Sequence, residues 1–214
     1  MNIRCVSVFL RNARKIGFDD INIPVEEIAE IDYNKRIAVI LCKDGTVKAY
    51  GLSCEYGVTD WTDVVQVACG RGHIVALRKD GTVLACGDNG FGQCDVADLH
   101  NVRQIDCGNW TTLILKNDGT VVCRGYSTAT GTARSSDTWT DAVKISCCQD
   151  SYIALKKDGT LYACDTVAAI SMNMNGGHLK VDQWTDVVDI ASGYRYCVAI
   201  KKDGTVLTAY GDFP

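Results

Sequence analysis

The sequence is short of several things that would each point to a familiar function. No apolar stretch approaches the roughly 18–20 residues that a membrane span needs. Positive charge is not in excess: the formal net charge is -4 and the pI 5.3, which argues against bulk, charge-driven binding to nucleic acid or an anionic membrane. A local basic patch or a small anionic ligand is compatible with that balance. Histidine occurs only as His73, His100 and His178, and none has a convergent carboxylate, serine or second histidine in the pattern. A hydrolytic triad therefore cannot be assembled, and no enzyme activity is expected. No Cys-x-x-Cys pair occurs, so neither a structural zinc site nor another metal or cofactor is expected. The apolar run within Met1 to Leu10 is too short for a signal peptide and is followed by Arg11, Arg14 and Lys15. A cytoplasmic location, with the twelve cysteines reduced, is the expectation.

Against these absences stands a repeat. The turn Lys43-Asp44-Gly45-Thr46 returns as Lys79-Asp80-Gly81-Thr82, Asn117-Asp118-Gly119-Thr120, Lys157-Asp158-Gly159-Thr160 and Lys202-Asp203-Gly204-Thr205, with glycine spacings of 36, 38, 40 and 45 residues. Asp-Gly between two β-rich runs marks a hairpin, because glycine accepts the positive φ of a tight turn. Ile31, Val67, Ile105, Ile145 and Ile190 all stand 14 residues before their glycine, and Val47, Val83, Val121, Leu161 and Val206 two residues after it. Trp-Thr-Asp introduces three of the units, at Trp61, Trp139 and Trp184. Period-2 alternation within the runs is a strand signature.

Each unit reads as strand A, a short loop, strand B, the Asp-Gly turn, strand C, and room for a strand D. One such meander cannot bury both faces alone, and radial packing solves this. The expected fold is all-β: a single β-propeller domain over 1–214, of about five four-stranded blades. The units fall at about 25–60, 61–98, 99–138, 139–183 and 184–214. The last unit stops after strand C, so the N-terminal segment 1–24, with strand-like Ile3 to Leu10, is expected to complete the fifth blade.

The run Val64-Val65-Gln66-Val67-Ala68-Cys69-Gly70-Arg71-Gly72-His73, then Ala76 to Val83, then Gly87-Asp88-Asn89-Gly90-Phe91-Gly92-Gln93, resembles the regulator of chromosome condensation repeat. In weaker form the resemblance extends over about residues 25–211. It implies a propeller that acts through shape and loops rather than a shared catalytic site, as exchange factors, ubiquitin-ligase modules and enzyme inhibitors of that family do. Propellers of the family usually have seven blades, whereas five units occur here. The Gly-x-Asn-x-x-Gly-Gln loop is present only after Gly87.

Cys69, Cys107 and Cys147 lie 12 residues before the repeat glycine, and Cys86 and Cys164 five after it; one repeat position implies one packing environment. In such a propeller the five A–B loops are expected to converge at one mouth of the central channel. They carry Asn34-Lys35-Arg36, Arg71-Gly72, Asn109-Trp110, Gln149-Asp150 and Tyr194-Arg195: four cations against one acid. The expected binding residues are Lys35, Arg36, Arg71, Trp110, Tyr194 and Arg195. Met172 and Met174 join them from the long C–D connection 165–178, which opens on the same face. A protein partner, with an inhibitory or scaffolding outcome, is the first expectation. The second is capture of a small anionic, nucleotide-like ligand at the channel mouth.

Overall fold

The structure, a computed structural model, describes residues 21, 23–34, 36–51, 57–126, 139–148, 151–165, 181, 183–193 and 196–210. Among the described residues, fifteen strands form five antiparallel sheets, each of three strands in sequence order. They are β1 (Ile28–Tyr33), β2 (Ile37–Cys42) and β3 (Val47–Gly51); β4 (Val64–Cys69), β5 (His73–Arg78) and β6 (Val83–Gly87); β7 (Val102–Cys107), β8 (Thr111–Lys116) and β9 (Val121–Gly125). β10 (Ala142–Cys147), β11 (Ser151–Lys156) and β12 (Leu161–Asp165), then β13 (Val187–Ser192), β14 (Tyr196–Lys201) and β15 (Val206–Tyr210), complete the set. No helix among the described residues is long and apolar enough to cross a membrane.

The repeated turn explains itself locally. In the first unit Asp44 Oδ1 accepts hydrogen bonds from the Thr46 amide at 2.9 Å and its hydroxyl at 2.6 Å, which holds the carboxyl below the usual aspartate range. The glycine between them has φ +84°, a conformation that side chains resist. Every first strand carries a β-bulge one residue after its start, as at Ile28/Glu30 and Val64/Gln66.

The middle strands of the second, third and fourth sheets are close to continuously apolar because sheets cover both of their faces. β2 is buried along its whole length. Ile37, Val39 and Leu41 meet Val58 of the connecting segment and Trp61, Val64 and Val67 of the second unit, while Ile40 turns the other way to Ile23 and Ile28. The same arrangement recurs between sheets two and three, three and four, and four and five. Each fully buried aliphatic side chain contributes about 1.5–3 kcal/mol.

The Trp-Thr-Asp segment has a specific task in these interfaces. Asp63, Asp141 and Asp186, and Asn101 in the third unit, which lacks Trp-Thr-Asp, take φ of 58–59°. They lie against the Asp-Gly turn of the preceding unit. The next amide then donates to that turn's glycine carbonyl: Val64 to Gly45, Val102 to Gly81 and Ala142 to Gly119 at 3.1 Å, and Val187 to Gly159 at 3.0 Å. Trp61 and Trp139 are buried between sheets, Trp184 is half-buried, and Leu99 fills the same slot in the remaining interface.

The expectation of four-stranded blades needs correction in the second unit. Residues 88–101 form turns, not a fourth strand. Their backbone amides are taken by side chains: Gly90 N–H by Asp88, Cys94 N–H by Asn89 and Phe91 N–H by Gln93. Local Asx chemistry competes with a sheet ladder and wins. Val96 and Leu99 then return the chain to the core. Of the N-terminal segment 1–24 expected to complete the fifth blade, residues 1–20 and 22 lie outside the described residues.

Candidate functional site

The ends of the five first strands border one cavity of about 600 Å³. Its wall carries Asp32, Cys69, Asp106, Cys107, Cys147 and Ser192, and its rim Asn34, Arg36, Arg71 and Asn109. The wall is built from inter-sheet clamps. Asp32 accepts from the Tyr33 amide at 2.8 Å and from the Cys69 amide of the next sheet at 2.7 Å. Asp106 repeats this two units on, with Cys107 and Cys147, both at 2.8 Å. Burial pushes Asp106 up to about 7, and the nearby Asp32 carboxylate adds to the rise. Asp32 is also raised by burial. The three thiols at the repeated position are raised well above the usual range, again by burial first and by these carboxylates next, so they are protonated and unreactive at neutral pH. Among the described residues, no group of three or more His, Cys, Asp or Glu side chains is placed to hold a metal ion.

One layer deeper, Gln66 grips the Ile105 backbone through both its oxygen and its nitrogen, each at 2.9 Å. Gln104 does the same to Ile145, at 3.0 and 2.9 Å. Glu30 occupies this position in the first unit and accepts from the Val67 amide at 3.2 Å. Lys144 occupies it in the fourth and pairs with Asp189.

The rim is laced from loop to loop: Asn34 Nδ2 donates to the Gly70 carbonyl at 2.7 Å, and the Arg71 amide to the Asn109 carbonyl at 3.1 Å. The Arg71 guanidinium lies 5.3 Å from the centre of the Trp110 ring. Trp110 in turn belongs to an edge-to-face cluster with Phe91 and Tyr126, with ring centres 4.8–6.3 Å apart. Phe91 remains 49% exposed.

This exposed ring is held from the core. Gln93 is fully buried and its side chain receives the Phe91 amide, while its carbonyl accepts the Thr112 hydroxyl at 2.7 Å. With its proton committed there, Thr112 Oγ1 accepts from His73 Nε2 at 3.1 Å. His73 is completely buried, and burial lowers it to about 4, so it stays neutral.

Of the expected binding residues, the structure brings Arg71 and Trp110 into direct contact and places Arg36 at the cavity rim. Lys35, Tyr194, Arg195, Met172 and Met174 lie outside the described residues. Phe91 and Tyr126 were not among the expected residues. The signal for Phe91 was available: it sits in the one Gly-x-Asn-x-x-Gly-Gln loop of the chain. Tyr126 follows the strand that ends at Gly125 and carries no motif.

The described residues form a chain of repeated three-stranded antiparallel sheets. Residues 64–93 and 102–129 match the Regulator of chromosome condensation (RCC1) repeat, so the chain carries repeats of that type. Human WBSCR16 is similar in structure, with TM-score 0.65 and 18% identity over 86% of this chain and 62% of that one. Prp20p from Saccharomyces cerevisiae gives TM-score 0.61 and 17% identity over 85% and 57%. The CRINKLY WD40 ectodomain of the Arabidopsis thaliana receptor kinase ACR4 gives 0.62 and 14% over 91% and 68%. The chain thus spans 57–62% of the length of the first two. No curated protein is significantly similar in sequence.

Proposed function

We propose that the protein is a non-catalytic recognition propeller that binds a protein partner through the face carrying the A–B loops and the Phe91 loop. The observation that carries this reading is the Arg71–Trp110–Phe91–Tyr126 cluster. It offers a rigid, partly exposed aromatic anchor beside a cation, on a loop tied to the core through Gln93. Aromatic and arginine anchors of this kind dominate the energetics of protein interfaces. The fold is compatible with such a role. Prp20p has binding properties to Gsp1p and histones, and Kap60 has been crystallised bound to yeast RCC1 (Prp20).

A second reading has its own observation, the cavity of about 600 Å³ with Arg36 and Arg71 at its rim. A small anionic ligand seated there would be paired by these guanidinium groups. Its floor opposes that reading, because Asp32 and Asp106 face the same space. The two readings separate by mutation. Phe91→Ala should abolish capture of a protein partner while leaving a cavity ligand in place, and Arg36→Ala should do the reverse.

A further inference from the structure

The polar atoms left over in the aromatic cluster say what kind of chain it suits. The rings of Phe91, Trp110 and Tyr126 touch edge to face, and the Arg71 guanidinium lies over Trp110. Their backbone is already satisfied. The Tyr126 amide donates to the Trp110 carbonyl at 2.9 Å, the Thr111 hydroxyl to the Tyr126 carbonyl at 3.1 Å, and the Phe91 amide to Gln93. Their side chains are not. Among the described residues the Trp110 indole N–H, the Tyr126 hydroxyl and the Arg71 guanidinium meet no acceptor, and neither Arg71 nor Arg36 beside it forms an ion pair. The patch thus presents three aromatic rings and a set of open donors, and of these side chains only the phenol oxygen can accept. Gly125 keeps the rings together. It has φ +106°, and a Cβ there would stand 2.1 Å from the Trp110 carbonyl and 2.9 Å from the Gln93 side chain.

We propose, resting on the recognition reading above, that the cluster docks a proline-rich extended segment of the partner with a carboxylate side chain beside the prolines. A polyproline II stretch makes no internal hydrogen bonds, so its carbonyls are open to donors, and proline brings no N–H that would go unpaired on the patch. Other backbones fit less well. A helix spends its carbonyls on itself, and a β-strand brings amide donors for which these side chains offer almost no acceptor. Proline rings pack on aromatic faces, and the segment is already extended before it binds, so little ordering is lost. The Trp110 N–H and the Tyr126 hydroxyl donate to its carbonyls. Arg71 pairs with the carboxylate, which a guanidinium holds through two parallel bonds, and Arg36 adds positive charge along the same rim.

The test is an array of synthetic peptides of about ten residues, probed with the labelled full chain. Half of them carry proline at every second or third position, with or without a glutamate, and the other half have each proline replaced by alanine. Binding confined to the proline-bearing half, and strongest where glutamate is present, is expected. Fluorescence anisotropy with the best-bound peptide then reads three variants whose fold is checked by circular dichroism. Phe91→Ala should weaken binding at least about tenfold. Trp110→Phe and Tyr126→Phe keep an aromatic ring and lose only the donor, and each should weaken it about three- to tenfold. A blank array, equal binding by the alanine half, or binding indifferent to the three variants overturns the proposal. If the array is blank while a host partner is still lost from Phe91→Ala, only the proline-rich assignment falls. If Phe91→Ala keeps that partner, the recognition reading falls with it.

Discussion

Glu30 stands where the next two units have glutamine, and the difference has a thermodynamic consequence. Gln66 and Gln104 both accept from and donate to the neighbouring backbone, whereas an ionised carboxylate can only accept. Burial raises the Glu30 pKa, in keeping with a site that disfavours its charge. Glu30→Gln is therefore expected to stabilise the protein by about 0.5–1.5 kcal/mol at neutral pH, measured by denaturant unfolding. Asp106 gives a pH signature. Its folded-state value of about 7 lies above the ordinary aspartate value of 3.8, so the folded state holds the proton more tightly. Its contribution to stability is fully present below the lower value and is lost as pH rises through the upper one. His73 acts in the opposite sense: lowered from 6.5 to about 4, it costs stability as pH falls through that interval. Thermal melts of Asp106→Asn should show a shallower decline towards pH 7 than the wild type, because Glu30 and Asp32, raised in the same direction, keep their share, and should retain the acid-side loss from His73. An unchanged profile would mean that Asp106 is not the group responsible.

At the scale of elements, the inter-sheet cap is what turns five separate meanders into one structure. Trp139 is buried between the third and fourth sheets, stacked 4.9 Å from the Tyr162 ring. Trp139→Ala should cost about 3–5 kcal/mol in equilibrium unfolding. Trp184→Ala should cost less, because that side chain is only partly buried. A larger loss from Trp184 would contradict this account of the interfaces. The strands and hairpins were legible in the sequence because Asp-Gly turns fix the spacing and the apolar alternation follows from it. The cap was visible as a motif, but not its mechanism, since a left-handed aspartate docking on another unit's glycine leaves no periodic trace. The fourth strand failed in unit two for a similar reason: Asp88, Asn89 and Gln93 satisfy backbone amides locally, which length and hydropathy do not reveal. Arg71 lies at the cavity rim, as its A–B loop position implied, and Trp110 lies beside its guanidinium. Phe91 and Tyr126 lie in segments that differ between units, so only the folded chain brings them together.

For the whole molecule, the clamps across the channel, the caps between sheets and the laced rim make a stiff scaffold, and stiffness suits recognition by preformed surfaces. Deep in the channel, neutral thiols and raised carboxylates offer no activated nucleophile, whereas the rim presents an aromatic anchor with a cation. The central claim is that this face binds protein. Native mass spectrometry of the chain isolated from its host, compared with Phe91→Ala, tests it most directly. A protein partner that leaves on denaturation and is missing from the Phe91→Ala sample is expected. A small adduct retained by Phe91→Ala and lost from Arg36→Ala would contradict it and assign the cavity, not the loop cluster, as the site of binding.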